Sequence, residues 1–347
     1  IFGRDHSCSS NFAKSYRAEY SARKNGKTLV MEEPTYLIIA GAEKAGTTSL
    51  YTWLREHPDI TGSRVKETNF FMNPPHPSEA DNLAAYQSFF GAAGASGKIR
   101  LEASPSYLYF SSRTSTEIHR LLPQAHLIFL FRDPVDRLYS SFRFRKSRFS
   151  LPADLNFDAF VDSALAAADD SKENDAPDRL QKIQERALSS GRYGEHLTHF
   201  LRSFPAERIR VYDFNLLGAN PCLLAEDVCR WVRARAGFFT DFPFEIRNES
   251  FAGRFAPLHR LALWANRITE PFSRKHPCIK QQLTRIYMSV NGRRQIEAPP
   301  APETRRRLRN YYAKDQAVLN RLLNAHPAID PLNGFRFQDS SDSHLDG

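Results

Sequence analysis

The chain has 347 residues, 41% of them hydrophobic, enough for one large domain with a substantial core, and its charges are mixed with apolar residues almost throughout, which excludes wholesale disorder. The formal charge of +9 suits a partner rich in phosphate or sulfate, yet there is no zinc-finger spacing, no RNP-type aromatic motif and no heptad repeat beside a basic region, so nucleic acid is not an expected partner. No apolar run approaches the roughly 20 residues that span a bilayer, and the scattered cysteines Cys8, Cys222, Cys229 and Cys278 lack metal-ligand and CxxC spacing.

The thiols read as free, which fits a reducing compartment. A cytoplasmic protein is therefore expected, with the Golgi lumen as the alternative if an anchor precedes Ile1. Residues 1–33 are polar and read as an irregular N-terminal extension, residues 34–335 as the functional domain and residues 336–347 as a tail.

The first element of that domain is Tyr36-Leu37-Ile38-Ile39-Ala40, a short apolar run before Gly41 that reads as a buried strand. A glycine-containing turn leads into a helix over 47–56, where Leu50, Trp53 and Leu54 recur at helical spacing and His57-Pro58 ends the pattern. Ile99-Arg100-Leu101-Glu102 is a weaker strand. His126-Leu127-Ile128-Phe129-Leu130-Phe131 is a strong one, followed by the turn Arg132-Asp133-Pro134 and a helix from Val135; proline suits a first helical turn because its missing N–H would have no partner there. A helix carrying Tyr193, Leu197, Phe200, Leu201 and Phe204 precedes a strand at 208–212, and helices are expected over 216–235 and 304–323. Strands alternating with helices predict an α/β fold, a single P-loop-like domain whose central parallel sheet is flanked by helices.

The segment Gly41-Ala42-Glu43-Lys44-Ala45-Gly46-Thr47-Thr48-Ser49-Leu50 combines a strand end, a glycine turn and a helix start. Unpaired N–H groups and the helix dipole at such a start hold phosphate oxygens, Lys44 adds a cation, and Thr47, Thr48 and Ser49 add hydroxyl donors. The nucleoside triphosphate loop GxxxxGK[ST] places lysine after its second glycine, whereas Lys44 comes two residues before Gly46. A kinase or NTPase reading is disfavoured on that ground.

The spacing resembles instead the 5′-phosphosulfate loop, close to GxxKxGTTSL, of the sulfotransferases that use 3′-phosphoadenosine 5′-phosphosulfate (PAPS). Arg132 to Ser140 resembles the RxPxxRxxS motif of the same superfamily. The resemblance implies that Lys44, Ala45, Gly46, Thr47, Thr48 and Ser49 hold the 5′-phosphosulfate and that Arg132 and Ser140 bind the 3′-phosphate. Ser140 lies eight residues after Arg132, about two helical turns on, so both fall roughly on one side. Lys66-Glu67-Thr68-Asn69-Phe70-Phe71 resembles the KEPHFF segment of heparan-sulfate-type carbohydrate sulfotransferases, which makes Glu67 the implied general base, provided that burial raises its pKa toward working pH. Glu102 to Tyr107 resembles the segment EKTPxYF or EASPxYL on the acceptor side, with Ala103 where heparan-type enzymes carry lysine. Arg247, Asn248, Ser250 and Arg254 fall where relatives place a cofactor-covering loop, and Arg254 is the implied further 3′-phosphate ligand.

Together these features imply an enzyme, a sulfotransferase using PAPS, releasing adenosine 3′,5′-bisphosphate (PAP) and needing no metal. The expected acceptor is a carbohydrate or glycolipid hydroxyl. The alternatives are a small metabolite, a tyrosine, or a non-catalytic binder of PAP or sulfated glycans.

Overall fold

The computed structural model describes residues 34–91, 98–152, 154–169, 178–245, 265, 297–332 and 335, and the backbone of four short strands at 21–24, 27–30, 251–253 and 292–294. The chain divides into two units, Ile1–Thr35 and Tyr36–Gly347. In the first, β1 (Ser21–Lys24) and β2 (Lys27–Val30) form an antiparallel pair, Ser21 opposite Val30. This segment was expected to be irregular; its alternation is too short and polar to register as a strand pattern.

The second unit is built on a parallel sheet in the order β4-β5-β3-β6-β7. The strands are β3 (Thr35–Gly41), β4 (Ile60–Gly62), β5 (Ile99–Ala103), β6 (His126–Phe131) and β7 (Ile209–Asp213). The central strands β3 and β6 are the two continuous apolar runs, and after their first residues both are wholly buried, as expected of strands covered on both faces. The chain leaves β3 for the edge strand β4, returns to β5, and then crosses β3 to reach β6. That reversal makes a switch point between β3 and β6, and in open α/β sheets ligands gather outside the strand carboxyl ends at such a point.

Helix α1 (Thr47–Leu54) follows β3 and buries Leu50, Trp53 and Leu54. Next come α2 (Glu79–Gln87), the short α3 (Ser106–Tyr109), α4 (Ser111–Leu121), α5 (Pro134–Ser147), α6 (Phe157–Asp169), α7 (Arg179–Ser189) and α8 (Tyr193–Ser203). The helix expected over 216–235 is two helices, α9 (Leu216–Ala219) and α10 (Pro221–Trp231). Pro221 can open a helix but cannot continue one, and the Asn220 side chain caps the second by accepting from Leu223 N–H at 3.1 Å. Strands β8 (Phe251–Gly253) and β9 (Gly292–Arg294) pair antiparallel. The long helix α11 (Pro302–Ala325) packs on α8, and its Asp315 carboxylate accepts from Gly194 N–H at 2.9 Å and Glu195 N–H at 2.8 Å, capping α8 from outside. A Cβ at Gly194 would stand 2.5 Å from Asp315 O, so glycine permits this close packing.

Core residues of β3, β5, β6 and β7 form one cluster with α1, α8 and α10. A second cluster joins α5, α6, α7 and α11 through Leu138, Phe142, Phe160, Leu188 and Leu308. Among the described residues no helix is long and apolar enough to cross a membrane.

Candidate active site

The β3–β6 register brings the two phosphate-binding candidates together. Leu37 faces His126 and Gly41 faces Phe129, and the pairing runs on past the strand as Ala42 N–H donates to Leu130 O at 2.9 Å. Two residues further along each chain stand Lys44 and Arg132, and Arg132 Nη1 reaches Lys44 O at 3.4 Å. The Arg132 guanidinium lies over the Phe214 ring at 4.5 Å. Phe214 itself is tied to the sheet, its N–H donating to Phe131 O at 2.7 Å. The Arg132 backbone is held from the other side by buried Tyr193, whose ring stacks on Phe131 at 4.2 Å and whose hydroxyl donates to Arg132 O at 3.0 Å. Burial lowers the Arg132 pKa, against the pull of Asp136, Tyr193 and Asp133. Among the described residues no carboxylate forms an ion pair with it.

The loop from Ala42 turns sharply into α1. Lys44 and Gly46 both take left-handed backbone, φ 67° and 80°. At Gly46 a Cβ would stand 2.1 Å from Leu217 Cδ1, so this position needs glycine for both conformation and space. Gly46 is the N-cap of α1 and contributes no side-chain hydrogen bond; Ser49 N–H already donates to Gly46 O at 3.0 Å, which leaves the N–H groups of Thr47 and Thr48 for an external acceptor. Ala45, Thr47 and Ser49 are buried and Thr48 is half-buried. The half-buried Lys44 side chain places its ammonium 4.1 Å from the centre of the Phe144 ring. Burial lowers its pKa to about 8, with Arg132 and Arg148 pressing the same way and Glu43 and Glu67 opposing.

Helix α5 starts with an Asp133 cap: its carboxylate accepts from Val135 N–H and Asp136 N–H, each at 2.9 Å. Ser140 sits half-buried in the second turn of this helix. Arg137, between them, is wholly buried and donates to Ala187 O, joining α5 to α7.

The segment expected on the acceptor side lies at the carboxyl end of β5, where Glu67 N–H donates to Ala103 O at 2.9 Å. Glu67 and Asn69 are left-handed at φ 63° and 52°, and non-glycine residues in that region cluster at functional sites. The Glu67 side chain is 51% exposed and accepts from Lys66 Nζ at 2.7 Å. The condition of burial attached to Glu67 as a base is therefore not met; Lys66 supplies an adjacent cation instead. The wholly buried carboxylate is Glu102. It accepts from Thr68 Oγ1, from Ser104 Oγ at 2.6 Å, from Tyr107 at 2.8 Å and from Tyr86 at 2.6 Å. Phe71 packs between Tyr86 and Tyr107, at 4.9 and 5.7 Å, so the paired phenylalanines anchor the segment that presents Glu67.

Three neighbouring strand ends thus meet at these residues: Lys44 follows β3, Arg132 follows β6, and Glu67, on the chain that follows β4, is hydrogen-bonded to Ala103 at the end of β5. Arg247, Asn248, Ser250 and Arg254 lie outside the described residues. Sequence reasoning missed the aromatic supports Phe144 and Phe214; it noted Tyr193 on a helix face and Glu102 in the acceptor-side resemblance, but not the support of Arg132 by the one or the buried centre formed by the other. An aromatic about three turns beyond the start of a motif helix was the available signal for Phe144.

The family model for the sulfotransferase domain matches residues 34–234. The bifunctional heparan sulfate N-deacetylase/N-sulfotransferase of Drosophila melanogaster is 27% identical over 230 residues, covering 62% of this chain and 20% of that protein. Bifunctional heparan sulfate N-deacetylase/N-sulfotransferase 2 of Bos taurus is 29% identical over 205 residues, covering 57% of this chain and 22% of that protein. The chain matches about a fifth of the length of these curated relatives. A solved sulfotransferase from Alicyclobacillus acidocaldarius shares the fold, with a TM-score of 0.54 at 23% identity over 85% of this chain and 97% of that one. The family model alone covers more than half of the sequence, and the chain belongs to the sulfotransferase family.

Proposed function

We propose that this chain transfers a sulfuryl group from PAPS to an acceptor hydroxyl on a carbohydrate or glycolipid. The observation that carries this reading is the meeting of Lys44 and Arg132 at adjacent strand ends beside an α1 start with no side-chain cap. An uncapped helix start and a guanidinium with no carboxylate partner among the described residues fit two phosphate groups. The donor supplies an activated sulfuryl group on its 5′-phosphate. Lys44, Ala45, Gly46, Thr47, Thr48 and Ser49 hold that end, while Arg132 and Ser140 take the 3′-phosphate, with Arg254 proposed as a further ligand from outside the described residues.

In the transfer, the acceptor oxygen forms its bond to sulfur as the bond from sulfur to the bridging oxygen breaks. Lys44 neutralises charge growing on the bridging oxygen, and Glu67 takes the acceptor proton. Positioning and charge stabilisation supply most of the effect. The names of the relatives support a polysaccharide acceptor, whereas Ala103 removes a cation from the acceptor side relative to heparan-type enzymes.

Calorimetry with PAP and ATP tests the donor assignment: PAP binds tightly and ATP poorly, and comparable affinities overturn it. Incubation with labelled PAPS and separate glycan, glycolipid, peptide and metabolite fractions tests the acceptor class. Label confined to peptides or small metabolites overturns the carbohydrate reading.

A further inference from the structure

Glu43 is an unexpected neighbour for Lys44. A carboxylate inside a loop that receives a phosphosulfate repels the ligand unless its charge is cancelled. The structure contains a device that does this. Arg186 Nη2 on α7 donates to Glu43 Oε1. Ser106 Oγ, at the start of α3, donates to the same oxygen at 3.0 Å and accepts from Arg186 Nη2 at 3.1 Å. The three groups close a triangle that ties the donor loop to two other elements. The Arg186 guanidinium is kept in place by Tyr109 and Phe110, whose ring centres lie 5.3 and 5.6 Å away. The charge of Arg145, on α5, favours the same carboxylate's ionised form, and burial, which by itself raises the Glu43 pKa, is overcome by Arg186, Ser106 and Arg145. Glu43 is therefore ionised at neutral pH and paired.

We propose that Arg186 is a positioning residue of the donor site, cancelling the Glu43 charge and holding that carboxylate out of the phosphosulfate's way while fixing the loop that carries Lys44. It rests on the PAPS reading above but is a separate claim, since that reading assigns neither residue. Arg186 acts through Glu43. Removing the arginine frees a negative charge beside the donor, and removing both charges restores a neutral loop.

The experiment is a double-mutant cycle on the full chain, reading PAP affinity by calorimetry. Arg186→Gln weakens PAP by about 10–100-fold. Adenosine 5′-phosphate weakens by the same factor, because Glu43 stands at the 5′ end. Glu43→Gln alone binds PAP within about threefold of wild type, and Glu43→Gln combined with Arg186→Gln returns to that level. Arg186→Lys, which keeps the charge and loses the fork, retains most of the affinity. Thermal melts of each variant establish that it is folded. A double variant as weak as Arg186→Gln overturns the proposal, as does an Arg186→Gln protein that binds PAP normally. Wild-type protein that fails to bind PAP overturns the donor reading itself and this proposal with it.

Discussion

The proposed donor side and the proposed acceptor side of the site are built on opposite principles. The donor side is mostly main chain: a left-handed turn at Lys44 and Gly46, an uncapped helix start, and a strand pairing that sets Lys44 beside Arg132. Its cations rest on aromatic rings, Lys44 on Phe144 and Arg132 on Phe214, which hold them without consuming their charge. The acceptor side has one half-exposed carboxylate, Glu67, presented by a segment pinned from beneath through the buried Glu102. An anion site can be assembled from backbone donors in a short stretch of chain. A proton acceptor needs one side chain at one angle, and its support comes from residues distant in sequence.

The comparison breaks first at Glu67. Glu67→Gln keeps the shape but cannot accept a proton as a carboxylate does, so turnover falls by about 10²–10⁴-fold while PAP affinity barely changes. Near-normal turnover, once an acceptor is identified, removes Glu67 from the chemistry and confines the proposed mechanism to the donor side.

Arg132→Ala sharpens the donor half. PAP should weaken by about 1.5–3 kcal/mol, the worth of a hydrogen bond to a charged group, and adenosine 5′-phosphate by much less. Equal weakening of both ligands assigns Arg132 away from the 3′ end.

Glu102→Gln tests whether the acceptor segment hangs on its buried carboxylate. Glutamine turns one acceptor oxygen into a donor facing hydroxyls, and the mismatch costs about 1–3 kcal/mol of stability, read as a lower midpoint in denaturant. The donor site is built on β3 and β6, so PAP affinity stays close to wild type in the folded variant. A variant as stable as wild type shows that the hydroxyl cluster rearranges freely.

The smallest effect is the pH response of the donor site. Lys44 titrates near 8 in the free protein, and only its charged form attracts the phosphosulfate. PAP affinity should therefore be highest near pH 7, where its phosphate monoesters are mostly in their doubly charged form, and decline as pH rises through 8, by up to about tenfold at pH 9. Lys44→Ala removes that limb; a variant that keeps it shows that another group titrates.

Much of the proposed donor side was legible in the chain. The apolar runs at 36–40 and 126–131 read as buried strands and are β3 and β6, and the Lys44–Gly46 spacing and the Arg132-to-Ser140 motif sit where ligands gather on this fold. The acceptor side was legible only as a resemblance. The burial on which the role of Glu67 as base was made conditional is absent, and neither burial nor backbone handedness is written in six residues: Phe70 and Phe71 go into the core and leave Glu67 at the rim. The expected helix over 216–235 failed at Asn220 and Pro221, where a local break outweighs an apolar stripe.

Local spacing by itself determined the strand-turn-helix units and the residues at their junctions, because strand burial, glycine turns and helix starts depend on neighbours only a few residues away. The order β4-β5-β3-β6-β7, the Glu43–Arg186–Ser106 triangle, the Glu102 centre and the Asp315 cap on α8 were decided by the tertiary structure. Each joins side chains or strands far apart in sequence. Which of them meet depends on the crossover that carries the chain from β5 past β3 to β6, and on the register in which β3 and β6 then pair.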